Sequence, residues 1–381
     1  MAEVLLKAPF VDPSGYVDFV SKHYLTTHIK EGGAKVKFIV GLEGSGKTTL
    51  LNHIGDEARD LGYCVVALDV SRVRLGRFDE VYRAIAAQIQ FDGLVRELCE
   101  HEVIIRLGYR PEDIPESQKF VEWLGHQDKD RTWLRREVKE ELQRLYRDAN
   151  LTDSFATAFI ALAQDYLGQP VPAENLDTAR RWLKGESLQA RTLRRVFLHR
   201  SVDRYSARHT LRSLLFLLKR LEHPGLVVTI DGLETLVSKA RQPDRVRYTR
   251  MQRDDAYESL REIIDDTENM PGLFVIGAAR PQFFADNSAG IRSYEALDAR
   301  VQNEIAADEV NRFADMFDLD EAWQAGGSWP EHRERLAAAW QAYVAEKGHT
   351  QEPCDISRYD YLGLVSPVKL IVDNVFRRGG E

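Results

Sequence analysis

Cysteine is scarce in this chain, and its placement excludes more than its number. The 381 residues hold three cysteines, Cys64, Cys99 and Cys354, far apart and in no CxxC pair. This is not a disulfide framework, and the expectation is reduced, structural thiols in a cytosolic protein. His101, His126, His199, His209 and His223 form no spaced cluster with those cysteines, which argues against a zinc site. Long apolar runs are also missing. Leu214–Leu218 is among the longest and is stopped by Lys219 and Arg220, far short of the roughly 18 residues that span a bilayer. The opening residues MAEVLLKAPF lack the charged and apolar regions of a signal peptide, so a cytoplasmic location without membrane attachment is expected. A formal net charge of -8 excludes a wholly basic nucleic-acid coat but leaves room for a local basic face. No internal repeat or low-complexity stretch is visible.

What is present reads as a globular protein, 44% hydrophobic and 29% charged. Residues 36–40 are a short apolar run ending in a glycine-rich turn, as a buried strand does. Leu50, Leu51, Ile54, Ala58 and Leu61 follow with helical spacing. Residues 63–70 read as a second strand and 78–89 as a helix, an order that favours a parallel sheet. From 92 to 222 only helical periodicity appears. Strand character returns at 225–230 and 273–278, and after 300 the chain reads as helices to its end. The expected architecture is an α/β P-loop NTPase sheet flanked by helices. Its first part is 1–91, a helical insertion follows at 92–222, the core resumes at 223–304, and a helical lid closes the chain at 305–381.

Gly41-Leu42-Glu43-Gly44-Ser45-Gly46-Lys47-Thr48 matches GxxxxGK[ST] in full, and Thr49 continues it into the helix. The motif stands where its chemistry requires, directly after a strand and before a helix. Glycines let the backbone curl so that successive N–H groups face phosphates, and the helix start adds its positive end. Lys47 is expected on the β- and γ-phosphates of ATP, and the Thr48 hydroxyl on Mg²⁺. Such a site needs a carboxylate at the end of a neighbouring strand. Leu226–Asp231 supplies it, with Asp231 as the second metal residue. The next residue is Gly232, so the nearest acid is Glu234. It reads either as the group that orients the attacking water or as an exposed loop charge. Phe10, Val11 and Tyr16 are candidates for the adenine pocket.

This order of parts resembles an AAA+-type ATPase of the origin-recognition kind. A further strand, Leu273-Phe-Val-Ile-Gly-Ala-Ala-Arg280, stands where that superfamily carries a polar sensor. Here its tip is Ala278-Ala279-Arg280, with Arg280 or Gln282 as stand-ins. Arg300, in Ser293-Tyr-Glu-Ala-Leu-Asp-Ala-Arg300, resembles an arginine finger or is an ordinary surface arginine. Lys369, in Ser366-Pro-Val-Lys369, substitutes for a second sensor. A narrower resemblance is carried by Ile29–Gly41, Val73–Glu80, Leu260–Asp266, Pro271–Phe284 and Gly290–Leu297. These are similar to the ATP-binding proteins of BREX-type phage-defence loci, the BrxD-like P-loop family. Gly232 and Ala279-Arg280 depart from that family's pattern of an acid and Thr-Pro, and both bear on hydrolysis. The resemblance implies bacterial antiviral defence.

Residues 180–220 hold twelve Lys or Arg against two Asp or Glu. Arg191, Arg194, Arg195, Arg200, Arg204, Arg208 and Arg212 recur at steps suited to helix faces, and a second basic run spans 239–253. Tyr205, Trp182 and Tyr248 interleave as possible stacking residues, while Trp123, Trp133 and Trp182 equally suit helix packing. Three readings of the basic face stay open: DNA, an acidic protein partner, or a solvated surface. Two functions follow. One is an ATP-hydrolysing AAA+ protein that assembles, as a homo-oligomer or with partner defence proteins, on DNA. The other is a nucleotide-gated switch or adaptor with little hydrolysis.

Overall fold

The computed structural model describes residues 11–127, 130–238, 246–301 and 311–347, together with Ser366 and Val368. They fall into two compact units. The first draws on 1–73, 227–267 and 273–381, and the second on 74–226 and 268–272.

The first unit is a five-stranded sheet in the order β2-β3-β4-β1-β5. Its strands are β1 (Lys35–Val40), β2 (Cys64–Asp69), β3 (Leu226–Asp231), β4 (Leu273–Ala279) and β5 (Met316–Asp318). β1 runs parallel to β4, with Lys35 opposite Phe274 and Val40 opposite Ala279, and parallel to β5, with Phe38 opposite Met316. The helices of this unit are α1 (Tyr16–Val20) and α2 (Lys47–Asp60), then α11 (Arg250–Asp265), α12 (Pro281–Ala285), α13 (Glu295–Asp298), α14 (Leu319–Ala325) and α15 (Trp329–Lys347). α2 buries Leu50, Leu51, Ile54 and Ala58 in one core with Ile39, Phe274, Ile276 and Phe317. That spacing puts them on one stripe of the helix. Gly62, at φ 86, ends the helix by a left-handed turn.

β5 departs from the sequence reading, which has only helices after 300. Three residues are too few to show a strand period. The pairing with Phe38–Val40 is what makes them a strand. The expected lid over 305–381 falls partly on residues outside the described ones, as do Phe10, Cys354 and Lys369.

The second unit contains α3 (Phe78–Ala86), α4 (Phe91–Leu98), α5 (Phe120–Gly125), α6 (Arg131–Gln143), α7 (Asp153–Tyr166), α8 (Ala173–Leu183), α9 (Ala190–Arg195) and α10 (Ala207–Arg220). α7 is its central element, buried at Phe155, Ala156, Ala158, Phe159, Ile160, Leu162 and Ala163. α3 belongs here: Tyr82 Oη donates to Leu183 O at 2.6 Å and Arg83 Nε to Gly185 O at 2.8 Å. Trp182 is buried, and its ring N–H donates to Arg200 O at 2.8 Å.

One residue of β1 breaks its apolar run. Lys37 is fully buried. Its ammonium donates to Tyr24 Oη (3.4 Å), Arg312 O (2.9 Å) and Ala314 O, tying the segment before β5 to the sheet. Burial lowers the Lys37 pKa to about 7. Below that pH both folded and unfolded chains carry the charge and the burial penalty is fully present. From about 7 up to the unfolded lysine value near 10.4, the folded chain has released a proton that the unfolded chain keeps, so stability rises with pH. Lys37→Met removes this slope. Denaturant unfolding should show the stability of the natural chain, relative to the variant, increasing between about pH 7 and 10; a flat difference would contradict the assignment.

Candidate functional site

The turn between β1 and α2 wraps around the side chain that follows it. Gly44 and Gly46 take left-handed φ values of 79 and 99, open to glycine without strain. Lys47, the first residue of α2, folds back, and its ammonium donates to Gly41 O at 2.8 Å and Leu42 O at 2.7 Å. Burial lowers its pKa, while the carboxylates of Glu234, Asp320 and Asp231 favour the charged form. Like any helix, α2 opens on backbone N–H groups without intrahelical partners. A buried ammonium and a helix N-terminus thus converge on one space, where an anion would satisfy both.

That space is a cavity of about 450 Å³. Glu43, Gly44, Ser45, Gly46, Lys47, Thr48 and Thr49 line it on one side, and Asp69, Asp231, Glu234 and Arg280 on the other. Gly41 and Leu42 hold Lys47 through their carbonyls and are not part of the cavity wall. Thr48 Oγ1 donates to Asp231 Oδ2 at 2.6 Å, and Gly232 N–H donates to Asp231 Oδ1 at 2.8 Å. The donor set suits a hard divalent cation. Thr48 and Asp231 would hold the ion, which would supply charge neutralisation to a bound polyphosphate.

Strand order explains the rest of the wall. β4 lies between β1 and β3, so its tip, Arg280, falls between the phosphate-binding turn and Asp231. Arg280 pairs with Glu43 at 3.0 Å and with Glu234 at 3.3 Å. Glu234 stands in a short 3₁₀ turn, Leu233–Leu236. One of its carboxylate oxygens is buried without a hydrogen-bond partner among the described residues. Gly232 has φ 73, a left-handed conformation that glycine takes without the steric penalty most side chains meet. The backbone here favours glycine, and the acid comes two residues later.

Two further contacts at this turn come from residues with no motif to announce them. Asp320 Oδ2 accepts from Leu42 N–H at 2.6 Å, and Trp323 Nε1–H donates to Ser45 O at 3.0 Å. Both residues sit on α14, directly after β5. Of the adenine-pocket candidates, Val11 lines the cavity with Pro13, Leu319, Leu336 and Val368. Tyr16 does not: it is buried and stacked on Phe317, ring centroids 3.7 Å apart. Gln282 is exposed on α12 and absent from the cavity wall. Arg300 is also away from it, bonded to Asp265 of α11 and donating to Ala296 O at 2.6 Å.

The basic stretch of the helical unit carries less free charge than its composition suggests. Arg180 pairs with Asp92, Arg181 with Asp177 and Glu186, Arg195 with Glu174, and Arg220 with Glu102 and Asp148. Arg212 lies over the Phe216 ring. Arg191 and Arg194 are exposed with no ion pair among the described residues. Buried Trp182 is a packing residue, and its ring is not available for stacking. Of the 239–253 run, residues 239–245 lie outside the described ones.

A parallel sheet with a phosphate-binding turn at one strand end and a metal-competent carboxylate two strands away defines a P-loop nucleotide-binding protein. The profile described as BREX system ATP-binding protein BrxC/D matches residues 23–319, and the chain belongs to that family of phage-defence ATP-binding proteins. Comparison with curated proteins gives no match. Among the described residues no helix is long and apolar enough to cross a membrane, and no group of three or more His, Cys, Asp or Glu side chains could hold a metal ion.

Asp320 tests the view that α14 braces the turn. Asp320→Ala strips Leu42 N–H of its acceptor, a loss of about 1 kcal/mol for a part-buried bond to a carboxylate. Unfolding should show that loss, with weaker nucleotide binding by calorimetry. Unchanged stability and affinity would show that α14 plays no such part.

Proposed function

We propose that the chain binds ATP–Mg²⁺ in the cavity at the start of α2 and hydrolyses it, driving changes in a nucleic-acid-associated BREX complex. The observation that carries this reading is the Thr48–Asp231 contact at 2.6 Å, in the same cavity as Lys47, Glu234 and Arg280. In this reading Lys47 and the N–H groups of 46–49 hold the β- and γ-phosphates. Thr48 and Asp231 hold Mg²⁺, which would neutralise charge developing between those phosphates. The apolar wall of Val11, Pro13, Leu319, Leu336 and Val368 takes the base. Glu234, on the cavity wall, accepts the proton of the attacking water. Arg280 turns from Glu43 to the γ-phosphate.

The ion pairs of Arg280 favour a second reading as well. A carboxylate held by a guanidinium is a poorer base, and such a site would act as a nucleotide-gated switch with little turnover. The insertion at 92–222, the lid at 305–381, and a homo-oligomer or partner-protein assembly belong to the proposal. Arg300 serves a neighbouring copy's nucleotide only if its bond to Asp265 opens.

Lys47→Ala removes the phosphate cation and should abolish ATP binding by calorimetry while the unfolding transition persists; equal affinity would sink the site assignment. Glu234→Gln should bind ATP normally and turn over about 100-fold more slowly in a single-turnover assay, the range for lost general-base help. Hydrolysis at the natural rate would remove Glu234 from the chemistry. No measurable hydrolysis in either protein would leave the gated switch.

A further inference from the structure

α9 ends on a residue poorly suited to the position. Leu198 N–H donates to Leu193 O at 3.0 Å and Phe197 N–H to Arg194 O at 3.2 Å. Helices close in this way on a left-handed residue, which is normally glycine. Here it is Phe197, at φ 58, with its ring 82% exposed. The conformation disfavours a bulky side chain, and an exposed ring gains nothing from the core. Val196 and Leu198 on either side are buried, so the turn is anchored and the ring is held outward. A residue that works against the fold at an anchored position points to a contact made elsewhere.

The surroundings indicate what that contact is. Arg191 and Arg194 are exposed with no ion pair among the described residues, and His199 and Arg200 are exposed beside them. The chain's return is fixed by Trp182 Nε1–H on Arg200 O and by Leu188 N–H on Ser201 Oγ, each at 2.8 Å. Further on, Tyr205 is 70% exposed, with the Arg204 guanidinium 4.6 Å from its ring centroid. Exposed rings among guanidinium groups suit a polyanion that also offers flat apolar faces. Single-stranded nucleic acid offers both. A duplex hides its base faces, and an acidic peptide has the charge without them.

We propose that the segment 190–208 binds single-stranded nucleic acid, with Phe197 and Tyr205 stacking on bases and Arg191, Arg194 and Arg200 following the phosphates. This rests on the nucleic-acid reading of the basic face and narrows it to single strands. The test is fluorescence anisotropy of the full chain with a labelled oligothymidine, a duplex of equal length, and polyglutamate as competitor, across a salt series. Phe197→Gly should be at least as stable as the natural chain, bind ATP equally, and bind the single strand about fivefold or more weakly. Arg191→Glu with Arg194→Glu should weaken binding and flatten its salt dependence. The inference is overturned if Phe197→Gly binds the oligonucleotide like the natural chain, or if polyglutamate competes as well as the oligonucleotide does. Should the duplex bind as tightly as the single strand, with only the arginine reversals mattering, the basic-face reading survives and this one falls. Should neither nucleic acid bind, both fall.

Discussion

A buried ammonium inside its own turn is the constraint from which the site follows. Lys47, itself buried, and the first N–H groups of α2 place positive charge together at the end of β1. The carbonyls of Gly41 and Leu42 accept from the ammonium, and Asp320 and Trp323 hold the same turn at Leu42 and Ser45. These contacts hold the curled backbone from within the chain. A polyphosphate would accept from the ammonium and from the first N–H groups of α2 together.

Around this anion demand lies a line of alternating charge: Glu43, Arg280, Glu234. Each belongs to a different part of the chain, brought together because β4 lies between β1 and β3. The arginine is shared by an acid of the phosphate-binding turn and the acid nearest Asp231. Gly232 fits the same geometry. Its left-handed backbone turns the chain out of β3 and into the 3₁₀ turn that presents Glu234.

The helical unit follows a different electrostatic rule. Several of its arginines, among them Arg180, Arg181, Arg195 and Arg220, are paired with carboxylates, and surface pairs of this kind contribute little to stability. They do remove charge from the pool open to a partner. Arg191, Arg194 and the outward ring of Phe197 stand out because they gather on one short helix, α9, and the turn that closes it.

The sequence alone determined the phosphate-binding turn, the strand before it and the helix after it, because these rest on local backbone geometry and residue size over a few positions. It also determined Asp231 at a strand end, by the apolar run that precedes it. It did not reveal β5, whose three residues become a strand only by pairing with β1. Nor did it reveal Asp320 and Trp323, which reach the turn from nearly the other end of the chain. Composition gave a basic stretch, but composition cannot say which guanidinium meets a carboxylate. That pairing, the position of Arg280 between two acids, and the exposure of Phe197 were decided by tertiary structure, since each depends on which distant segments share a surface once the sheet and the helices have packed.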